Sequence, residues 1–414
     1  METLYVGQRI RAVVASTVAG GVDPELLAAA FTDLTARHPP LRCRIAHASS
    51  GFVLQELEAP PHLIVREDSG DGYAEELNSP LPVGGPLVRA TLLRGTGYDI
   101  VVLVVDHVIS DGLSAATLHH ALWERYGRLV ADPMTTPERL GSEWPPPVTS
   151  LLPPCPVEEV ERYLDQRLLQ VRARPVELLS YNAPRSSPGG RIEATRLVLA
   201  PGPTQDLRQA AVAAGVSVHG VVAAALLIAA RWRLSGEGPR TLGCLSPIDL
   251  RSRLTEPLPR EVMVAAATSH TQTFDVTPEE DLLALAGAVT RGLRTALESG
   301  QALLEARIMP RAPEFPQLLA ATVIATNVGN LAGPPLPAGL ELLDMRGSPA
   351  REQYYPRAGR SPVMAAVSTF AGRLAIEFPY WTECFSGPFM ADFRDEVQAL
   401  LLDLAACGAG IPTS

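Results

Sequence analysis

The chain has 414 residues, 46% of them hydrophobic and 19% charged, with a net charge of −10. That length accommodates two or three domains with cores of their own, and the composition is that of a globular protein and excludes a disordered one. There is no run of Lys or Arg, so nucleic acid and an anionic membrane surface are excluded as main partners.

The five cysteines, Cys43, Cys155, Cys244, Cys384 and Cys407, are scattered, odd in number and without C-x-x-C spacing. Neither a disulfide framework nor a zinc site is expected, and a cytoplasmic location is. Met1-Glu2-Thr3-Leu4 opens acidic, with no apolar core of a signal peptide. The longest apolar stretch, Val221 to Trp232, falls short of the ~20 residues that span a bilayer.

The elements follow in chain order. Asp23 reads as an N-cap and Pro24 as the first position of a helix that runs through Leu26 to Ala36 and stops at Arg37-His38-Pro39-Pro40. Leu41 to Ala46 alternates with period two, and Phe52 to Leu57 and Leu63 to Arg66 read as short strands. Leu87 to Arg94 and Asp99 to Val105 read as paired strands around Gly95-Thr96-Gly97. The second of these is apolar on both faces, as a central strand is. A helix from about Ser114 to Leu129 follows. Residues 132–156, rich in Pro, read as an extended connector. Then come a helix from Val157 to Arg172 and a loose stretch from Pro184 to Gly190.

The second half starts with a strand, Ile192 to Leu199, and a helix, Pro203 to Ala214. Ser217 then caps a long apolar helix to Trp232. Thr241 to Ser246 is a strand leading into Pro247-Ile248-Asp249-Leu250-Arg251. Val262 to Phe274 looks extended, and Glu279 to Ala306 reads as one long helix. Ala320 to Thr326 is a strand ending in a turn at Asn327-Val328-Gly329-Asn330. Pro362 to Thr369 and Arg373 to Pro379 form a hairpin, and Asp392 to Ala405 closes the chain. The expected division is a lobe at 1–156, a linker at 157–190 and a second lobe at 191–414. Trp232 and Trp381 read as packing residues, and His119-His120 lie on a helix with no third metal ligand in sight.

Asp106-His107-Val108-Ile109-Ser110-Asp111-Gly112 stands between the central strand and a helix. A His at a strand end, three spacers and Asp-Gly make a good seat for a general base. The strand holds the ring, the turn can bring the carboxylate back, and Gly tolerates the positive φ such turns often need. Taken alone the pattern is weak in a chain with eight His and 45 acidic residues. A packed strand-end His107 with Asp111 as a helix cap remains an open alternative.

Four stretches together are more specific. Leu26 to Leu34 followed by Arg37-His38-Pro39-Pro40-Leu41-Arg42 is similar to an opening helix and "RHPxLR". Asp106 to Gly112 is similar to "HHxxxDG". Ser246 to Arg251 is similar to "PVDLR", and Thr326-Asn327-Val328-Gly329 to "SNxG". In this order they resemble the CoA-dependent acyltransferase superfamily of chloramphenicol acetyltransferase and nonribosomal-peptide condensation-domain fold. The likeness is greatest to its polyketide-associated branch of phthiocerol dimycocerosyl transferase type. The plant branch's "DFGWG" is absent.

The resemblance implies an α/β (α+β) fold of two lobes set in a V with an active-site tunnel between them. It implies an acyltransferase acting as a monomer, with no bound cofactor and no metal. An acyl group would pass from an acyl-carrier protein or acyl-CoA thioester to the hydroxyl of a secondary metabolite, polyketide or lipid. His107 would be the general base, since a His of ordinary pKa near ~6.5 can take a hydroxyl proton as attack begins. Asp111 would shape the site and pair with Arg251. The Gly112 N–H would help hold the oxyanion, Ser110 would line the substrate site, and Asn327 would shape a turn. Asp106 stands where the family has its first, structural His. Two alternatives come with this reading. One is a free-standing condensation enzyme that forms an amide with an amine acceptor. The other is a non-catalytic binding protein on the same fold.

Overall fold

In the computed structural model the described residues are 9–49, 51–141, 143–183, 189–351 and 359–408. The expectations for residues 1–4 and 184–188 lie outside them. The first half runs β1 (Ile10–Ala19), α1 (Pro24–Arg37), β2 (Cys43–Ala48), β3 (Gly51–Glu56), β4 (Ile64–Glu67), α2 (Gly72–Asn78), β5 (Val88–Arg94), β6 (Asp99–Asp106) and α3 (Gly112–Ala131). The Asp23 carboxylate caps α1 by accepting the Glu25 and Leu26 N–H groups, as its sequence predicts. Next come α4 (Val157–Ala173), β7 (Leu179–Ser180), β8 (Ile192–Leu199), α5 (Pro201–Ala213), α6 (Val218–Arg231), β9 (Arg240–Asp249) and β10 (Ala267–Val276). The chain continues with α7 (Leu282–Glu298), α8 (Gln301–Ile308), β11 (Val323–Leu331), β12 (Glu341–Arg351), β13 (Arg360–Ser361), β14 (Val363–Phe370), β15 (Arg373–Trp381) and α9 (Gly387–Gly408).

These elements form two compact units. The first holds residues 9–151, 256–266 and 331–351; the second holds 152–255, 267–330 and 359–408. The units therefore differ from the contiguous blocks expected. The expected linker belongs to the second unit, and two segments from the latter half belong to the first. Backbone pairing is the cause. β12 runs antiparallel to β1, from Ile10 opposite Arg351 to Ala19 opposite Glu341. A partner more than three hundred residues away leaves no mark in a local pattern, and neither strand is among the expected elements.

In the first unit the sheet order is β12-β1-β6-β5-β4, which makes β6 the middle strand. Val101 to Val105 are fully buried, so the strand is covered on both faces. α1 and α3 pack together and contribute Phe31, Leu122 and Trp123 to the core beside Leu103 and Val105. That burial fixes where β6 ends and hence where His107 stands.

The second unit has the sheet order β10-β9-β11-β14-β15-β8. In α6 every residue from Gly220 to Arg231 is buried, the pattern of a helix covered all round by α7, α9 and the sheet. The single helix expected over Glu279–Ala306 is two: Gly300, at φ +75°, takes the left-handed conformation that ends one helix and opens the next. Asn327 and Gly329 lie within β11, where the Asn327 side-chain oxygen accepts the Gly329 N–H at 2.8 Å. Trp232, read as a core or lobe-packing residue, is 44% exposed and donates its indole N–H to the Pro278 carbonyl. Among the described residues no single helix is long and apolar enough to cross a membrane.

Candidate active site

β6 delivers the site and α3 closes it. The His107 N–H donates to the Ile10 carbonyl at 3.0 Å, so β1 continues its pairing one residue past the strand end. The imidazole is half-buried. Its Nδ1 is buried and has no hydrogen-bond partner among the described residues.

The carboxylates on either side are engaged by backbone. Asp106 is 4% exposed, and its Oδ1 accepts the Val108 N–H at 2.9 Å. Its carbonyl takes the Ile109 N–H at 3.2 Å and the Ser110 hydroxyl at 3.4 Å. Asp111, also 4% exposed, caps α3: Oδ1 accepts the Ser114 N–H at 2.8 Å and Oδ2 the Ala266 N–H at 3.0 Å. Both acids thus hold the loop, and Ile109 pins it to the apolar core.

Two expectations need correction. Gly112 is the first residue of α3 and has no positive φ, because the two aspartates, rather than a left-handed residue, close the turn. Ser110 is 0% exposed and turned inward to the Asp106 carbonyl, so it braces the loop and offers no surface to a substrate.

The structure brings Asp106, His107, Ser110, Asp111 and Gly112 together in one loop of the first unit. Arg251 and Asn327 belong to the second unit. Arg251 starts a 3-10 turn, Arg251–Arg253, just after β9, and is 3% exposed. The Asp249 Oδ1 accepts both its backbone N–H at 3.1 Å and its Nη1 at 2.9 Å.

Ile10, Ser114, Val264 and Ala266 escaped the sequence reading. Only Ser114 carries a local signal, as the third residue after a capping Asp. His119 is a core residue: burial brings its pKa down to about 4, and its Nε2 lies 3.2 Å from the Ser16 hydroxyl. Among the described residues no group of three or more His, Cys, Asp or Glu is arranged to hold a metal ion. An open pocket of about 560 Å³ lies beside β4 and α2, lined by Arg66, Glu75, Glu76 and Arg89 among others. It contains none of the residues of the His107 loop.

Residues 188–379 match the family described as phthiocerol/phthiodiolone dimycocerosyl transferase C-terminus. The phthiocerol/phthiodiolone dimycocerosyl transferase of Mycobacterium tuberculosis is 25% identical over 381 residues, covering 86% of this chain and 85% of that one. Polyketide synthase associated protein 5 from Mycobacterium tuberculosis superposes with a TM-score of 0.79 at 21% identity, covering 98% of this chain and 96% of the other. A trichothecene 15-O-acetyltransferase from Fusarium sporotrichioides gives 0.76 at 12% identity, covering 96% and 92%. The chain is thus similar in sequence to phthiocerol/phthiodiolone dimycocerosyl transferases, and its fold is the one seen in polyketide synthase associated protein 5 and in the 15-O-acetyltransferase.

Proposed function

We propose that the chain moves an acyl group from a thioester to a hydroxyl of a polyketide, lipid or other secondary metabolite, with His107 as the general base. The donor is acyl-CoA or the phosphopantetheinyl thioester of an acyl-carrier protein, and it acts as a co-substrate. One observation carries this reading. The loop after β6 fixes His107 through its backbone while both flanking carboxylates are occupied by N–H groups. The imidazole is therefore the side chain of this loop that is suited to take a proton. The relatives' names agree, one being a dimycocerosyl transferase and another a 15-O-acetyltransferase.

In this mechanism His107 takes the proton of the acceptor hydroxyl as its oxygen attacks the thioester carbonyl. The tetrahedral intermediate collapses, the C–S bond breaks, and the imidazolium returns the proton to the leaving thiolate. No enzyme nucleophile is needed, because the thioester is already activated. The Gly112 N–H, at the positive end of α3, supports the oxyanion. Asp106, Asp111 and Arg251 keep the framework in place, and Asn327 shapes β11.

The test is thiol release from a panel of acyl-CoA and acyl-carrier thioesters with a mixed pool of alcohols and amines, the products being read by mass spectrometry. Wild type should give acceptor-dependent release and an ester, and folded His107→Ala should give neither. An amide product would replace the ester reading with the condensation one. Tight binding of a thioester or metabolite with no release would replace catalysis with a binding role.

A further inference from the structure

The segment 256–266 comes from the latter half of the chain, yet it belongs to the first unit. Its first residues, Glu256 and Pro257, are exposed, as are Pro259 to Glu261, whereas Met263 and Val264 are buried. Met263 packs in the same apolar core as Ile109 and Leu118. The backbone that follows grips the start of α3 at three points. The Ser114 hydroxyl donates to the Val264 carbonyl at 3.0 Å and accepts the Val264 N–H at 3.4 Å. The Ala266 N–H donates to Asp111 Oδ2 at 3.0 Å. Ser114 and Asp111 are themselves joined, since the Ser114 N–H donates to Asp111 Oδ1.

We infer that Ser114 is a positioning residue for the acyl transfer, acting through a clamp that Val264 and Ala266 close on the loop carrying His107. The inference rests on His107 being the base. The loop has a pinned strand at its front, where His107 meets Ile10, and the clamp at its back. Both ends must hold if the ring is to keep one position over the reacting hydroxyl, because a base displaced by an ångström loses much of its effect. Ser114 serves both contacts with Val264 through one hydroxyl, 3% exposed and out of reach of bulk water. Its loss removes both of these contacts with the Val264 backbone inside the unit. Ser114 touches the clamp and the Asp111 cap, so its effect on the reaction passes through the loop.

The experiment compares wild type, Ser114→Ala, Ser114→Thr and His107→Ala by steady-state thiol release and by hydrogen exchange of the amides at 107–116 and 264–266. In Ser114→Ala the kcat should fall about tenfold with KM for the thioester unchanged, and exchange at 107–116 should quicken. Ser114→Thr keeps the hydroxyl and should restore both. Faster exchange with an unchanged kcat would overturn the inference and leave a purely structural bond. Unchanged exchange would overturn the clamp itself. Thiol release that His107→Ala leaves intact would instead overturn the base reading, while the exchange data would still report on the clamp separately.

Discussion

β6 and β9 end in the same way and are used differently. At each strand end an Asp carboxylate folds back to accept the N–H two residues on: Asp106 takes Val108 at 2.9 Å, and Asp249 takes Arg251 at 3.1 Å. The residue held in the middle is His107, half-buried, in the first unit and Leu250, 1% exposed, in the second. The first turn opens a 20-residue helix and the second only a 3-10 turn. The turn is thus a holder, and on the proposed function the residue it holds decides whether the strand end handles protons or anchors a core. Matched truncations should separate the two roles. His107→Ala should lower acyl transfer by ~10²–10⁴-fold with the urea midpoint unchanged. Leu250→Ala should cost about 2–5 kcal/mol of stability in the same unfolding experiment. Equal losses of stability would show that His107 is a packing residue and would end the contrast.

Each unit also carries a histidine in a helix, fully buried His119 in α3 and half-buried His219 in α6. Burial lowers each from 6.5 to about 4. Each also meets a serine hydroxyl, Ser16 at 3.2 Å for His119 and Ser246 at 2.9 Å for His219. A base depressed in this way binds fewer protons folded than unfolded. Its contribution is complete above the unfolded pKa of 6.5 and is lost as pH falls towards the folded value of about 4. For fully buried His119 the loss reaches roughly 3 kcal/mol at the acid end. Urea midpoints taken at steps from pH 7 down to pH 4 should therefore fall, and His119→Gln should make the fall shallower. An unchanged slope in that variant would remove His119 from the account.

The two supporting aspartates differ in burial, and their removal should differ accordingly. Asp111→Ala strips the cap from α3 and removes the carboxylate that the buried Ser114 and Ala266 N–H groups share, a loss of about 2 kcal/mol. The Asp249 side chain is 47% exposed. Its removal admits water to the Arg251 guanidinium, so Asp249→Ala should cost about 1 kcal/mol or less. Denaturant unfolding of both variants checks the order, and the reverse order would mean that the Arg251 turn is the more critical support.

The His107 loop was legible because its parts are consecutive. A strand apolar on both faces, a His and a capping Asp stand within a dozen residues, and each is a short-range signal. β12 and the 264–266 clamp were hidden because their hydrogen-bond partners lie more than a hundred residues away. Other misses have a different physical origin. Ser299-Gly300 sits inside a helical pattern, and only the left-handed backbone of Gly300 reveals the break. The Ser110 hydroxyl could have faced either way, and the Asp106 carbonyl decided it.

The smallest expected effect bears most directly on Asp106, which stands at the first His of the "HHxxxDG" pattern that the loop resembles. If the carboxylate serves only as an acceptor for the Val108 N–H, Asp106→Asn keeps that contact through its amide oxygen. The variant should lose less than about 1 kcal/mol and retain thiol-release rates within about threefold. Asp106→Ala removes the acceptor and should loosen the loop, with a larger loss of rate. The same pair at the other strand end should behave differently, because Asp249 also holds the Nη1 of Arg251. There Asn weakens a charge-assisted bond, and Asp249→Asn should fall closer to Asp249→Ala. Should Asp106→Asn prove as damaging as Asp106→Ala, the negative charge rather than the acceptor oxygen would be what the His107 loop requires. The likeness between the two turns would then extend from backbone geometry to electrostatics.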